Sequence, residues 1–283
     1  MVETVAGEAV DALGWEHLVP PDLRGRTVVV TGASDGIGRE SALHLARWGA
    51  RLVLPVRDRR AASDIRGLLD GERADLVNVA GVVSPGRRET VDGFELLLGV
   101  NALAPMLLTE SLLPVVRERV VLVTSHAHTS GRMDHDDPHF RRTRWTLPRA
   151  YSRAKLTAML WGLDLGARMP AGTQVQLTHP GWVVTNLQNA SGHARVDRLV
   201  TMASRPLAMT AAQGAAAVLF SLTQPLPPGS YVGPDGWQHL RGRPTLIRRS
   251  ARALDRGEAA RTVAWMRREV GLDGTAPGRA GPA

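Results

Sequence analysis

The sequence predicts a single α/β domain built on a doubly wound parallel sheet. Three observations lead to this prediction. Short runs rich in β-branched residues alternate along the chain with segments of helical character. A glycine-rich turn joins the first such run, residues 26–31 (RTVVVT), to a helical segment at 39–48. Glycine or polar residues also follow several predicted strands, where ligands bind in sheets of this kind.

The other elements follow in chain order. Further strands are predicted at residues 51–56, 75–83, 120–124 and 174–179, and helices at 61–72 and 151–168. Residues 96–116 are the most apolar window. Asn101, Pro105, Glu110 and Pro114 interrupt this window, which favours a buried helix over a membrane span.

Composition narrows the classes of function. The chain of 283 residues has no cysteine, which excludes disulfides, thiolate catalysis and cysteine-ligated zinc. The net charge is +8, but the arginines are spread along the chain rather than gathered in a block, so we expect no nucleic-acid partner. The first residues lack the basic start and apolar run of a signal peptide, so we expect a cytoplasmic protein without a membrane partner.

One globular domain accounts for most of the chain. We expect an N-terminal extension at 1–23, the domain at 24–250 with a substrate loop near 182–206, a C-terminal helix at 251–270, and a disordered tail at 271–283.

The glycine-rich turn predicts a Rossmann-type dinucleotide site. The glycines at positions 32, 36 and 38 allow the backbone to approach a pyrophosphate, and the helix N-terminus that follows favours its charge. The second predicted strand ends at Arg57, which is followed by Asp58, Arg59 and Arg60. Arginine at this place suits a 2′-phosphate, so NADP(H) is favoured over NAD(H) as the cofactor. A solvated charged turn is nearly as good an explanation of these arginines.

Tyr151 and Lys155 carry the predicted chemistry. Lys155 is the only lysine in the chain, and Tyr151 is one of only two tyrosines. A spacing of four residues on a helix places the phenol and the amine on one face. Arginine would be a poor substitute for the amine because of its shape and its much higher pKa. An ordinary surface lysine is the alternative explanation.

Together these motifs resemble the short-chain dehydrogenase/reductase family over residues 24–245. The resemblance is carried by TGASDGIG (31–38), NVAG (78–81), GVNALAP around Asn101, LVTSHA around Ser125, YSRAK (151–155) and HPGWVVTN (179–186). Among the branches of the family, the chain is most similar to the retinol-dehydrogenase-like group. The resemblance implies a hydride transfer between nicotinamide and a small-molecule substrate.

The resemblance also implies a role for individual residues. Tyr151 would be the general acid or base, with its pKa lowered by the Lys155 ammonium, while Ser125 would orient the substrate oxygen and Asn101 would position the lysine through a water. A cofactor would contact Gly32, Ser34, Asp35, Gly36, Ile37, Gly38, Arg57, Asn78, Ala80, Gly81, Lys155, Pro180, Gly181, Val183 and Thr185.

The chain departs from the family pattern after the second strand. Residues 58–74 leave room for one crossover helix but not for two helices and a strand, so we expect the usual outer edge strand, with its adenine-binding Asp, to be missing. The second Asn of the usual NNAG is Val79. A missing strand would open the adenine side of the site.

Several alternatives stay open. His126, His128, His135 and His139 are close in sequence but lack a carboxylate or thiolate at a convincing spacing, so we predict no metal. The favoured function is an NADP(H)-dependent oxidoreductase acting on an apolar ketone or secondary alcohol. A non-redox acid–base enzyme on the same fold, such as a cyclase, dehydratase or isomerase, is the alternative. The third hypothesis is a non-catalytic binding or regulatory protein, or a weak nucleic-acid binder. Family members often form homo-oligomers, which leaves the oligomeric state open.

Overall fold

The computed structural model describes residues 21–55, 69, 72–183 and 208–274. Within them, one sheet has seven strands: β1 (Thr27–Thr31), β2 (Arg51–Val53), β3 (Ala74–Asn78), β4 (Val116–Val123), β5 (Gln174–Thr178), β6 (Tyr231–Pro234) and β7 (Pro244–Leu246). Their order is β2-β1-β3-β4-β5-β6-β7, and every pair is parallel except β6 with β7. The predicted doubly wound α/β fold is confirmed.

Helices cover both faces of the sheet. They are α1 (Gly36–Arg47), α2 (Ala104–Leu112), α3 (Leu147–Arg168), α4 (Ala211–Thr223) and α5 (Arg256–Glu269). Alternate side chains of each strand point to opposite faces. Val28 and Val30 of β1 therefore pack in one hydrophobic cluster with α1 and α4, while Val29 packs in the other with α2, α3 and α5. The helices are held by two separate cores.

The sheet has its switch point at β1. The chain leaves β1 to form β2 on one side, and it later returns to form β3 on the other side. A crevice therefore opens between the carboxyl ends of β1 and β3, which is where ligands bind in open α/β sheets. The glycine-rich turn after β1 lies at this crevice.

Strand boundaries differ from the sequence-based prediction for reasons of pairing. The prediction extended the third strand to residue 83, but β3 ends at Asn78, which pairs with the last residue of β1, Thr31. The fourth strand begins earlier than predicted, at Val116, because Val116 pairs with Ala74. Both β6 and β7 were missed, since YVGP and PTL are too short and too rich in glycine and proline for a periodic signal.

The apolar window around residues 96–116 forms a nearly continuous helical segment. A turn at Leu96–Leu98, a π-helical turn at Gly99–Leu103 and α2 follow one another directly. Among the described residues, Leu96–Val115 is the one stretch with the length and hydropathy of a membrane span, and 50% of its most apolar window is buried inside the fold. Leu97 and Met106 are fully buried in the core. Because the core helix of a globular domain passes the same test, this is weak evidence for a span.

The region after β2 lies largely outside the described residues. Of the helix predicted at 61–72, the structure describes Leu69, which is helical and fully buried, and Glu72. In the described part of the chain, β2 is the edge strand on this side of the sheet. The missing outer strand stays a prediction.

Candidate active site

Two glycines shape the turn after β1. Gly32 has φ of +70°, and a Cβ atom there would lie 2.8 Å from both Cα and N of Ala80. At Gly38, a Cβ atom would collide with the carbonyl oxygen of Gly32. Only glycine therefore permits the turns after β1 and β3 to meet and α1 to start against the end of β1.

The start of α1 is suited to an anion. The first intrahelical bond from this end is donated by Arg39 N to Asp35 O, at 3.2 Å. Gly36, Ile37 and Gly38 come before Arg39 in the chain, so their N–H groups belong to the first turn of α1. Helix N–H groups in the first turn have no intrahelical acceptor. Such groups bind phosphates, and the helix dipole adds to the effect. Ser34 and Asp35 are exposed in the same turn.

Thr31 is a site residue that sequence reasoning treated only as the end of a strand. Its Oγ1 accepts hydrogen bonds from Val79 N and Ala80 N, both at 3.1 Å. These bonds hold the turn after β3 against the glycine-rich turn. A threonine directly before the first glycine is the signal that could have identified it.

Asn78 is more deeply buried than its predicted contact with a cofactor would suggest. Its side chain is only 4% exposed, and Nδ2 donates to Thr109 Oγ1 of α2 at 3.0 Å. Asn78 thus ties the sheet to a helix, whereas Ala80 and Gly81 are partly exposed at the crevice. Ala80 and Gly81 are the more accessible of the three residues, and the cofactor contacts of all three stay predictions.

Asn101 lies in the π-helical turn Gly99–Leu103 and is almost fully buried. Its Oδ1 accepts from Val82 N, and its Nδ2 donates to Val82 O, each at 2.9 Å. A Cβ atom on Gly81 would lie 2.8 Å from the same Oδ1. The extra residue of a π turn re-aims side chains at functional sites, and here it directs Asn101 to the turn after β3.

Ser125 and Tyr151 meet at the carboxyl end of β4. Ser125 caps a short 3₁₀ turn, His126–Ser130, by accepting from Ala127 N at 3.2 Å. Tyr151 lies one turn into α3, and its side chain lies close to that of Ser125. Burial raises the pKa of the Tyr151 phenol, and the nearby Ser125 side chain partly opposes this rise. The phenol is therefore protonated at neutral pH.

Lys155 lies one helical turn beyond Tyr151 and is only 5% exposed. Its Nζ donates to Val123 O of β4 at 3.1 Å and lies 5.7 Å from the centre of the Tyr151 ring. Burial lowers the pKa of the Lys155 ammonium to about 8. In this structure burial raises the phenol pKa and Nζ of Lys155 bonds to Val123 O, so the expected lowering of the phenol pKa by the ammonium stays a prediction.

The turn after β5 forms the far wall of the site. Gly181 has φ of +84°, and a Cβ atom there would lie 2.7 Å from Met209 Sδ and 2.8 Å from Leu240 O. Pro180 and Gly181 are partly exposed, and Val183 pairs with Met209 in an isolated parallel bridge. The predicted cofactor residues Arg57 and Thr185 lie outside the described residues, as does most of the predicted substrate loop.

The four histidines singled out in the sequence belong to two separate places. His135 and His139 are bonded to α5. Nε2 of His135 lies 3.2 Å from a carboxylate oxygen of Glu258, and Nε2 of His139 lies 2.9 Å from one of Glu269. The rings of His126 and His128 lie instead beside Ser125, and the ring of His126 also lies near those of His179 and His239, which the sequence did not bring together. In the part of the chain that the structure describes, no group of three or more His, Asp or Glu could hold a metal ion.

Known proteins resemble this chain in sequence. No protein-family profile matches it. It is 34% identical over 230 residues to retinol dehydrogenase 13 of Homo sapiens, in an alignment covering 67% of this chain and 70% of that protein. It is 32% identical over 235 residues to a candidate daunorubicin C-13 ketoreductase of Streptomyces sp. (strain C5), covering 72% of this chain and 80% of that protein.

Solved structures share the fold. An uncharacterized protein of Mycobacterium paratuberculosis is 34% identical, with a TM-score of 0.72 over 87% of this chain and 94% of its own. The angucycline C-6 ketoreductase LanV with bound NADP is 21% identical, with a TM-score of 0.56 over 76% of this chain and 96% of its own. At that identity the second likeness supports the fold alone.

Proposed function

Because the chain belongs to the short-chain dehydrogenase/reductase family, and so is an oxidoreductase, we propose that it uses NADP(H) to interconvert an apolar ketone and a secondary alcohol. The observation that carries this proposal is the group formed by Ser125, Tyr151 and Lys155 at the end of β4, next to the crevice between β1 and β3. Oxidoreductase chemistry requires a bound hydride carrier and a proton donor side by side. The related candidate ketoreductase favours a ketone as the substrate.

The described residues fit a dinucleotide. The pyrophosphate would lie at the first turn of α1, and Gly32 and Gly38 allow the close backbone packing that places this turn at the end of β1. Ala80 and Gly81 would border the adenosine side, and Pro180, Gly181 and Val183 the nicotinamide side. When bound, the cofactor supplies or accepts the hydride. NADP is the ligand named for LanV, and Arg57 is the residue that we assign to the 2′-phosphate.

The side chains of Tyr151, Ser125 and Lys155 would together carry out the proton transfer to the substrate. Since the Tyr151 phenol is protonated at neutral pH, it can donate to a carbonyl oxygen as that oxygen gains negative charge. The Ser125 hydroxyl, which lies close to the same phenol, would orient the carbonyl beside it. The Lys155 ammonium, whose pKa is about 8, would stabilise the phenolate that is left behind.

The proposal is tested by binding isotherms with NADPH and NADH, followed by loss of the near-ultraviolet absorbance of NADPH on addition of α-tetralone. We expect NADPH to bind more tightly, by about tenfold or more, and Arg57→Ala to remove this preference. Arg47→Ala, on the exposed end of α1, is the control variant. Failure of both nucleotides to bind at millimolar concentration would overturn the proposal.

The non-redox alternative has a distinct signature in the same experiment. The predicted absence of the outer strand is the reason for considering this alternative, and the region in question lies outside the described residues. Conversion of a substrate without net oxidation of NADPH would favour it over the redox function.

His128 is expected to position Ser125. Nδ1 of His128 lies 2.8 Å from Ser125 O, and Ser250 N donates to Nε2 at 3.2 Å, so Nδ1 carries the hydrogen. His128→Leu removes both bonds, and we expect kcat to fall about tenfold, the equivalent of one or two hydrogen bonds. His128→Asn, which can still donate to Ser125 O, should recover part of the loss.

Steady-state kinetics and an NADPH isotherm separate this effect from simple damage to the fold. A positioning role predicts a lower kcat with an unchanged affinity for the nucleotide. An unchanged kcat in a folded His128→Leu protein would show that the Ser125 carbonyl needs no such support.

A further inference from the structure

Three imidazoles form a cluster beside Ser125. The ring of His126 lies 5.5 Å from that of His239 and 6.1 Å from that of His179, measured between ring centres. The rings come from three places far apart in the chain: the turn after β4, the residue after β5, and the segment between β6 and β7. We call His126, His179 and His239 the histidine cluster.

The cluster has unused hydrogen-bonding capacity. His179 is only 5% exposed, and neither of its ring nitrogens has a partner at hydrogen-bond geometry, although the backbone of His239 lies near enough to favour the charged ring. Nδ1 of His126 is also buried without a partner. The neighbouring His128 differs, since both of its nitrogens are bonded. Buried polar atoms are normally paired, so unpaired atoms gathered in one place indicate a missing polar partner.

The rings of His126 and His179 are neutral at physiological pH. Burial, together with nearby histidines, lowers the pKa of His179 to about 3. The pKa of His126 is lowered by burial and by His239. A neutral imidazole offers one donor and one acceptor, which suits a hydroxyl or a carbonyl oxygen better than an anion.

The segment that carries His239 is strained. Gln238 and His239 have φ of +48° and +57°, in the left-handed region that residues other than glycine seldom occupy. Nδ1 of His239 lies 2.8 Å from Pro234 O, which holds the ring in place. Strain of this kind persists where the surrounding structure requires one conformation, and it is concentrated at ligand sites.

The members of the cluster are adjacent in the chain to residues of the proposed site. His126 directly follows Ser125 in the chain, and His179 directly precedes the Pro180–Gly181 turn. Leu240, next to His239, accepts a hydrogen bond from Trp182 N at 2.7 Å. A carbonyl held by Ser125 and Tyr151 would therefore have the cluster next to it.

We propose that the histidine cluster is a subsite for a second oxygen of the substrate, so that the preferred substrates are apolar ketones with a hydroxyl or carbonyl oxygen a few bonds from the reacting carbonyl. This inference rests on the proposed function. His126 is the partly exposed member next to Ser125, so it meets the oxygen directly. His179 lies behind it and completes the polar wall.

The test compares α-tetralone with a set of hydroxy-α-tetralones that differ only in the position of the hydroxyl group. We expect the wild-type protein to prefer at least one hydroxy ketone in kcat/KM. In His126→Leu this preference should fall about tenfold, because leucine cannot pair with the oxygen. His179→Leu should reduce it in the same direction. His135→Gln, a surface histidine bonded to Glu258, is the matched control and should keep the wild-type ratio.

The ratio of the two kcat/KM values does not depend on the folded fraction of a preparation, so a destabilised variant still decides the question. Imidazole NMR gives a second readout: the hydroxy ketone should shift the His126 resonances in the NADP-bound protein, and α-tetralone should shift them less. If the variants lost the same factor of kcat/KM for both ketones, or if the wild type showed no preference, the proposed subsite would be wrong. The proposed function would not be affected by either result. Absence of nucleotide binding and of ketone reduction would instead overturn the proposed function.

Discussion

Tyr151→Phe is expected to lower kcat for ketone reduction by about 10²–10⁴-fold, the usual contribution of a positioned proton donor. Phenylalanine keeps the ring and its packing but has no proton to donate. Ser125 alone is a poor replacement for the phenol, because an aliphatic hydroxyl is a much weaker acid than a phenol. Affinity for NADPH should stay close to that of the wild type, because the proposed nucleotide site at α1 is untouched.

Single-turnover oxidation of NADPH is the measurement, with the nucleotide isotherm beside it. Tyr231→Phe is the matched control, because Tyr231 is the only other tyrosine in the chain and is 2% exposed in the core. The control should retain activity within about twofold. If Tyr151→Phe were to retain wild-type turnover, another group would have to supply the proton.

Lys155→Met is expected to abolish most activity and, at neutral pH, to stabilise the fold. The ammonium is only 5% exposed, and burial lowers its pKa to about 8 from an ordinary 10.5. Charging this amine in the folded protein therefore costs free energy, on the order of 1–3 kcal/mol. Methionine has a similar volume and carries no charge. Loss of the ammonium removes the partner of the phenolate, so kcat should fall by about 10²-fold or more.

The pH dependence of stability identifies the cause. Between about pH 8 and 10.5 the unfolded chain binds more protons at Lys155 than the folded one, so wild-type stability rises with pH through this window. The increase in the free energy of unfolding caused by Lys155→Met should be largest below about pH 8. It should vanish above about pH 10.5, where the amine is neutral in both states. Thermal melts at several pH values measure it. A variant that is less stable than the wild type at neutral pH would show that the amine makes favourable contacts that outweigh its burial.

Local signals explain the parts of the fold that could be predicted. The run of valines in β1, the glycines from Gly32 to Gly38 and the start of α1 are adjacent in the chain, so their order alone predicts a strand, a turn and a helix. Tyr151 and Lys155 could be placed together for the same reason, since both lie on α3. The boundaries of β3 and β4 could not be predicted, because pairing with neighbouring strands determines them.

The sequence by itself determined the fold class, the glycine-rich turn and the Tyr–Lys pair, because each depends on spacing within one or two consecutive elements. Tertiary structure alone decided the rest. It directed Asn78 to α2, turned Lys155 to Val123, and raised the pKa of the phenol by burial. It also brought His126, His179 and His239 together from three distant segments. The physical reason is that burial and contact depend on which strands and helices become neighbours, and spacing along the chain does not encode this.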